Sequence, residues 1–190
     1  MSSFRKLYVI FVLLIICASV PVFAQDSTEA TATEAVKINI SLTDYNFVID
    51  GVEAMQPLQL MAGQAYQIHF KNDSAMLMTH EVLLGRNANT LKGGFKHDFA
   101  EPMLSEVEVV LTSQMNGKDF LIGVAGLNEF ELSAGQEMTL EFTLSDDKIG
   151  TWEIGCFEFL SMNDTEDHPG ATHFDVGMHL PVEVSAGATI

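Results

Sequence analysis

The sequence predicts an all-β domain, an antiparallel sandwich or barrel, and three observations carry that reading. Apolar residues alternate with polar ones at period two from Val36 onward, the alternating runs are short, and turn-forming pairs stand between them. A strand sends successive side chains to opposite faces, so this alternation describes sheets with one face in a core and the other in water.

The runs in order are KINISL (37–42), YNFVID (45–50), AYQIHF (65–70), HEVLLG (80–85), EVEVVL (106–111), FLIGVA (120–125), EMTLEFTL (137–144), TWEIGCF (151–157) and HLPVEV (179–184). In EMTLEFTL, Met138, Leu140, Phe142 and Leu144 share the face expected to enter the core, and Glu137, Thr139, Glu141 and Thr143 share the wet one. Asp50-Gly51, Ala62-Gly63, Asn116-Gly117, Ala134-Gly135 and Asp146-Asp147 fall where connections are needed. Residues 86–103 break the pattern with Asn87, Asn89, Gly93, Gly94 and Pro102. They read as an excursion from the sandwich, with a short helical turn around Phe95 to Phe99.

Ahead of the first strand, residues 1–24 have a basic start (Arg5, Lys6), an apolar run from Leu7 to Val20 and a small-residue exit at Val22-Phe23-Ala24. This is the layout of an export signal cut after Ala24; the competing reading is an uncleaved membrane anchor. Ile16 before Cys17 does not suit a lipoprotein signal. Residues 25–35, QDSTEATATEA, read as a solvated, flexible tether. Residues 36–186 then form one domain, long enough to bury a core.

The whole chain has 9 basic and 26 acidic residues, a formal charge of −17. Removing residues 1–24 takes away two bases and no acid, leaving −19. Such a chain repels nucleic-acid backbones and anionic lipid surfaces. Export would also remove Cys17 and leave Cys156 alone in a compartment where thiols are oxidised or paired. A lone thiol there is either a buried small hydrophobe or a thiolate held by a metal.

The neighbours of Cys156 point to the metal. His173 follows it by 17 residues, Met178 follows His173 by five, and His80 opens an upstream strand. Two imidazoles, a thiolate and a thioether form a soft nitrogen and sulfur set that selects copper, in a trigonal His2Cys arrangement with a long axial Met. Each residue alone would pass as core filler or a surface histidine; the combination is what carries weight.

Three segments, FKN at 70–72 with His80 beyond it, GTWEIGC at 150–156 and HFDVGMHLPVEV at 173–184, resemble the cupredoxins, the plastocyanin- and azurin-like blue copper proteins. The resemblance implies a Greek-key sandwich, one copper ion cycling between Cu(II) and Cu(I), and His80, Cys156, His173 and Met178 as its ligands. It implies an electron carrier with His173 near the surface as the exit for the electron. Two features depart from the family: the excursion after Gly85, and an enlarged ligand loop at 157–172 that brings His168 and Glu158 into competition as ligands. Glu81 also stands where plastocyanin- and azurin-like members have Asn, which bears on the hydrogen bonds to the copper thiolate.

Serine nucleophile elbows, Walker loops and HExxH are absent, and a copper ion with every position filled by protein offers no place for substrate, so no enzyme is expected. The expectation is an exported, monomeric electron-transfer protein, periplasmic or extracellular, whose partner presents a basic docking face. The alternatives are a copper carrier or buffer using Met76, Met78 and Met162, and a red-copper variant with an oxygen ligand. His69, His97, His168 and His179 are left outside the site.

Overall fold

Alternation in the sequence becomes alternation in burial. Along β1 (Val36–Leu42), Ile38, Ile40 and Leu42 are buried while Lys37 and Asn39 are exposed. β5 (Ala65–Asn72) repeats this with Tyr66, Ile68, Phe70 and Asn72. β13 (His179–Ser185) does so with Leu180, Val182 and Val184. The computed structural model describes residues 34–53, 56–91, 93–115, 118–160 and 170–187. Residues 1–24, read as an export signal, most of the segment read as a tether, the Asn116-Gly117 pair, Met162 and His168 lie outside the described residues.

The remaining strands are β2 (Phe47–Ile49), β3 (Val52–Glu53), β4 (Leu58–Met61), β6 (His80–Thr90), β7 (Lys96–Pro102), β8 (Leu104–Met115), β9 (Lys118–Leu127), β10 (Glu129–Leu132), β11 (Glu137–Thr143) and β12 (Gly150–Cys156). One sheet runs β3-β2-β1-β5-β11-β8-β9 and the other β10-β6-β12-β13-β4, with β7 paired to β6. The result is the all-β sandwich that the sequence predicts. Most pairs are antiparallel; β1 with β5 and β13 with β4 are parallel. The apolar faces meet in one core that includes Ile40, Phe70, Leu140, Trp152, Ile154, Cys156 and Met178.

Residues 86–103 differ from the expectation. They hold no helical turn: β6 continues through Gly85 to Thr90, and β7 returns antiparallel beside it, with an irregular register between Ala88 and Thr90. The asparagines that read as turn residues instead tie the two strands together. Asn87, in the left-handed region at φ 59°, donates to Glu101 at 2.7 Å, and Asn89 donates to Asp98 at 2.6 Å. A hairpin that projects past the sandwich has little core to face, so its strands lack the apolar alternation by which the others are recognised. Only Phe99 of this hairpin strand is buried, and it packs in a second, smaller apolar cluster with Leu83 and Phe157.

Gly85 is where β6 leaves the main sheet and takes up this hairpin. A Cβ at that position would stand 2.5 Å from the Phe99 Cβ and 2.8 Å from the Glu101 carbonyl oxygen. Gly85→Ala is therefore expected to destabilise the protein by about 1–3 kcal/mol, the usual range for overpacking. Chemical denaturation checks this; an unchanged midpoint and slope would mean that the hairpin does not press on β6.

Candidate metal centre

The site is assembled at one end of the sandwich by a strand start, a strand end and a loop. His80 is the first residue of β6 and sits opposite Leu132 of β10. Cys156 is the last residue of β12 and sits opposite Val82. His173 and Met178 flank a 3-10 turn at Phe174–Val176, and Gly177, at φ 107°, supplies the left-handed step that brings the chain back to β13.

Backbone hydrogen bonds fix the spacing of these residues. The Cys156 amide donates to the Met178 carbonyl (3.1 Å), the Met178 amide to the His173 carbonyl (2.9 Å), and the His173 amide to the Glu158 carbonyl (2.9 Å). The approach to His80 is fixed by Asn72, which closes the FKN segment and is buried. Its amide group donates to the carbonyls of Met78 and Leu132, both at 2.8 Å, and its carbonyl accepts from the Ser74 amide at 2.9 Å. Ser74 in turn donates to Asp44 (2.7 Å) and accepts from the Met78 amide (3.0 Å). Bonding to the Met76 amide and the Ser74 hydroxyl holds the Asp44 carboxyl below the usual carboxylate range.

Three ligand atoms converge. Cys156 Sγ lies 3.3 Å from His173 Nδ1 and 3.5 Å from His80 Nδ1, and the two nitrogens are 3.3 Å apart. The point in their plane equidistant from all three lies about 1.9 Å from each, near the ~2.0–2.1 Å of a zinc–imidazole bond and shorter than the ~2.3 Å of a zinc–thiolate bond. All three residues are buried, and each imidazole also has a buried Nε2 without a hydrogen-bond partner. Met178 is fully buried in the same core cluster as Cys156. Among the described residues this is the group of His, Cys, Asp or Glu side chains close enough to share an ion. Glu158 is not part of it.

The electrostatics suit a cation. Burial pushes His80 down to about 4, helped by the neighbouring His173 and opposed by Asp44 and the Thr43 carbonyl. Burial lowers His173 as well, so at neutral pH both rings have a lone pair to offer. Burial pushes the Cys156 thiol up to about 12, although the amides of Glu158 and Glu81 point their dipoles at the sulfur. The Glu81 backbone thus contributes to the thiolate's surroundings where the family resemblance raised a question over its side chain. Without a cation the thiol keeps its proton; a bound metal would displace it and stabilise the thiolate. The donor set, its spacing and its desolvation fit a soft first-row metal.

The other described histidines are elsewhere. His69 faces outward and bonds Thr139 at 3.0 Å, and His97 lies beside Phe159. His179 meets Glu153 at 3.1 Å and stacks on Phe174. His173, expected near the surface, is 1% exposed. The edge of Tyr45 packs against its ring at 5.4 Å, and a cavity of about 330 Å³ lined by Leu77, Met78, Thr79, Glu158, Phe159 and Leu160 adjoins it. Sequence reading missed Tyr45, which sits 128 residues from His173 in a run read only as a strand.

No protein-family model and no curated protein matches the chain. Among solved structures, auracyanin B is 16% identical, with 80% of this chain and 91% of that one covered and a TM-score of 0.43. A multicopper oxidase from Campylobacter jejuni is 15% identical (82% and 31% covered, TM-score 0.46). A copper-containing nitrite reductase from Thermus scotoductus is 12% identical (78% and 30% covered, TM-score 0.48). The chain spans about a third of the length of the oxidase and of the reductase. The two-sheet sandwich and the His-Cys-His cluster agree with the cupredoxin resemblance read from the sequence.

The pH dependence of the metal-free protein tests the electrostatics. His80 is depressed from 6.5 to about 4, so the unfolded chain binds the extra proton in that window and stability is lost as pH falls through it. Glu81 is raised from 4.5 to about 7 by burial and by Glu129, Glu158, Glu131 and Asp98, so its contribution is lost as pH rises through its window. The two slopes oppose each other. Glu81→Gln is expected to stabilise the protein at pH 8 and leave a profile that climbs from pH 4 to 6.5, as read by denaturation at fixed pH. A variant whose profile overlays the parent's would show that Glu81 is not buried against its acidic neighbours.

Proposed function

We propose that this protein is an exported, one-electron carrier with a blue copper site that His80 Nδ1, Cys156 Sγ, His173 Nδ1 and the Met178 thioether would hold. The observation that carries this reading is the buried, near-equilateral triangle of one sulfur and two imidazole nitrogens. Copper, when bound, supplies the one-electron cycle between Cu(II) and Cu(I). The chain's own part is to hold the ligand atoms on strand ends and on a loop tied to them by main-chain bonds, and to keep water away. A site that cannot rearrange undergoes little reorganisation between oxidation states, which favours electron transfer over substrate chemistry.

The three ligand residues are buried, which supports a carrier rather than an enzyme. The formal charge of −17 supports a partner with a basic docking face and a small, salt-sensitive interface. Export, suggested by residues 1–24, places the carrier in the periplasm or outside the cell.

The test is titration of the purified, metal-free protein with Cu(II), followed by visible and paramagnetic-resonance spectra. An intense thiolate-to-copper band saturating at one equivalent is expected, absent in Cys156→Ser and altered in His173→Ala. A parent protein that binds no copper, or binds it without a thiolate band, would overturn the blue-copper reading.

A copper-carrier reading draws on Met78, which lines the cavity beside His173, and on Met76, 59% exposed. Replacing both with Leu separates the two. Electron carriage predicts unchanged redox cycling and unchanged Cu(I) transfer to a chelator, whereas carriage of the metal predicts slower transfer.

A further inference from the structure

We propose that a stack of aromatic rings on the outer face of the second sheet, Phe157, Phe174 and His179 backed by Phe99, is the device that positions the ligand loop, and that these residues are positioning residues of the metal site. The role assigned to the loop rests on the copper reading above; the clamp itself is a property of the metal-free chain.

The sequence places one ring immediately after each of three site residues: Phe157 after Cys156, Phe174 after His173 and His179 after Met178. Where the site residue points into the core of the sandwich, its successor faces the other way. In the structure those successors meet. Phe157 and Phe174 stack at 4.8 Å with 10° between their planes, and Phe174 and His179 stack at 4.8 Å with 28°. Three segments that carry site residues are therefore joined a second time, through side chains on the far side of the sheet.

The sheet is shaped to receive the stack. Leu83, Gly155 and His179 are register partners across β6, β12 and β13, so the middle of that row has no side chain. The rings occupy the trough. A Cβ at Gly155 would stand 2.7 Å from Phe174 Cδ2 and 3.0 Å from Phe157 Cε2.

The β6–β7 hairpin closes the far wall. Phe99 meets Phe157 edge-on at 5.0 Å and Phe174 at 5.9 Å, and Gly85 gives Phe99 its room. Polar bonds join the hairpin to the loop as well. The Lys96 amide donates to Asp175 (3.1 Å), Thr172 Oγ1 donates to the Lys96 carbonyl (3.1 Å), and the Thr172 amide donates to Asp175 (3.0 Å). The segment after Gly85 thus meets both ends of the enlarged loop, at Phe157 and at Thr172.

Phe174 is half-buried and on the outer face, so its loss need not unfold the core. Hydrogen exchange on the metal-free protein is the first measurement. Phe174→Ala is expected to speed exchange of the amides of residues 172–179 by about tenfold while leaving β1 and β5 unchanged, and Phe174→Tyr to restore the parent rate. On the copper-loaded protein, Phe174→Ala is expected to shift the thiolate band and the copper hyperfine coupling, which a merely stabilising residue would leave alone. Gly155→Ala, which fills the trough from below, is expected to reproduce both effects. Unchanged exchange at 172–179 in Phe174→Ala and in Gly155→Ala would overturn the clamp. Faster exchange with unaltered copper spectra would overturn its positioning role. A parent that binds no copper would defeat the functional reading and leave the exchange result to decide the clamp on its own.

Discussion

Everything at the lower-numbered end of β6 and the upper end of β12 is governed by one constraint: a thiol and two imidazoles are buried within 3.5 Å of one another with no charged partner among them. Removing polar groups from water is unfavourable unless something replaces the lost solvation. Each imidazole here has one nitrogen facing the sulfur and another buried without a partner. The neutral imidazoles and the protonated thiol of the metal-free chain minimise the charge buried, but they leave the donor set unsatisfied. A soft cation at the centre would satisfy the inward-facing atoms, by accepting the Nδ1 lone pairs and taking the place of the thiol proton.

The sandwich is arranged to make that burial unavoidable. His80 and Cys156 occupy inward positions on adjacent strands whose register is set by apolar partners such as Ile154 opposite Leu84. A one-residue slip of either strand would turn its site residue to solvent and its core residues with it, so the register of the core and that of the site are the same quantity. Asn72 extends this control to the loop before His80 by bonding three main-chain groups that belong to different segments. Stability of the fold and precision of the site are therefore not separable at these positions.

The sequence shows the sandwich readily because period-two burial is a local signal, readable within any one strand such as EMTLEFTL. β4 and β10 were invisible for the same reason: four residues are too few to establish a period. β7 was hidden by the asparagines beside it, which read as turn formers and act instead as cross-strand links. Candidate ligands could be picked from side-chain chemistry and order along the chain, but their distances could not. The burial of His173 under Tyr45 was beyond reach, because it depends on a contact between residues that no local pattern connects. Gly155 is the clearest case: in GTWEIGC it reads as one more small residue in a strand, and its meaning lies in the rings that cross it.

The ligand loop shows how the two faces of a sheet can divide one task. On the inner face the residues that chemistry requires are few, polar and intolerant of displacement. The outer face of an antiparallel sheet usually meets water, where it can contribute little to holding anything. Here the residue after each of Cys156, His173 and Met178 is aromatic, and the outer face has become a second, small core. Because adjacent side chains on an extended chain point in opposite directions, fixing Phe157 fixes the direction of Cys156, and His179 at the start of β13 bears likewise on Met178; Phe174 follows His173 into the 3-10 turn, and its packing holds that turn. Packing on the side away from the site thus holds Phe157 and Phe174, beside Cys156 and His173, where apolar bulk costs nothing in ligand chemistry.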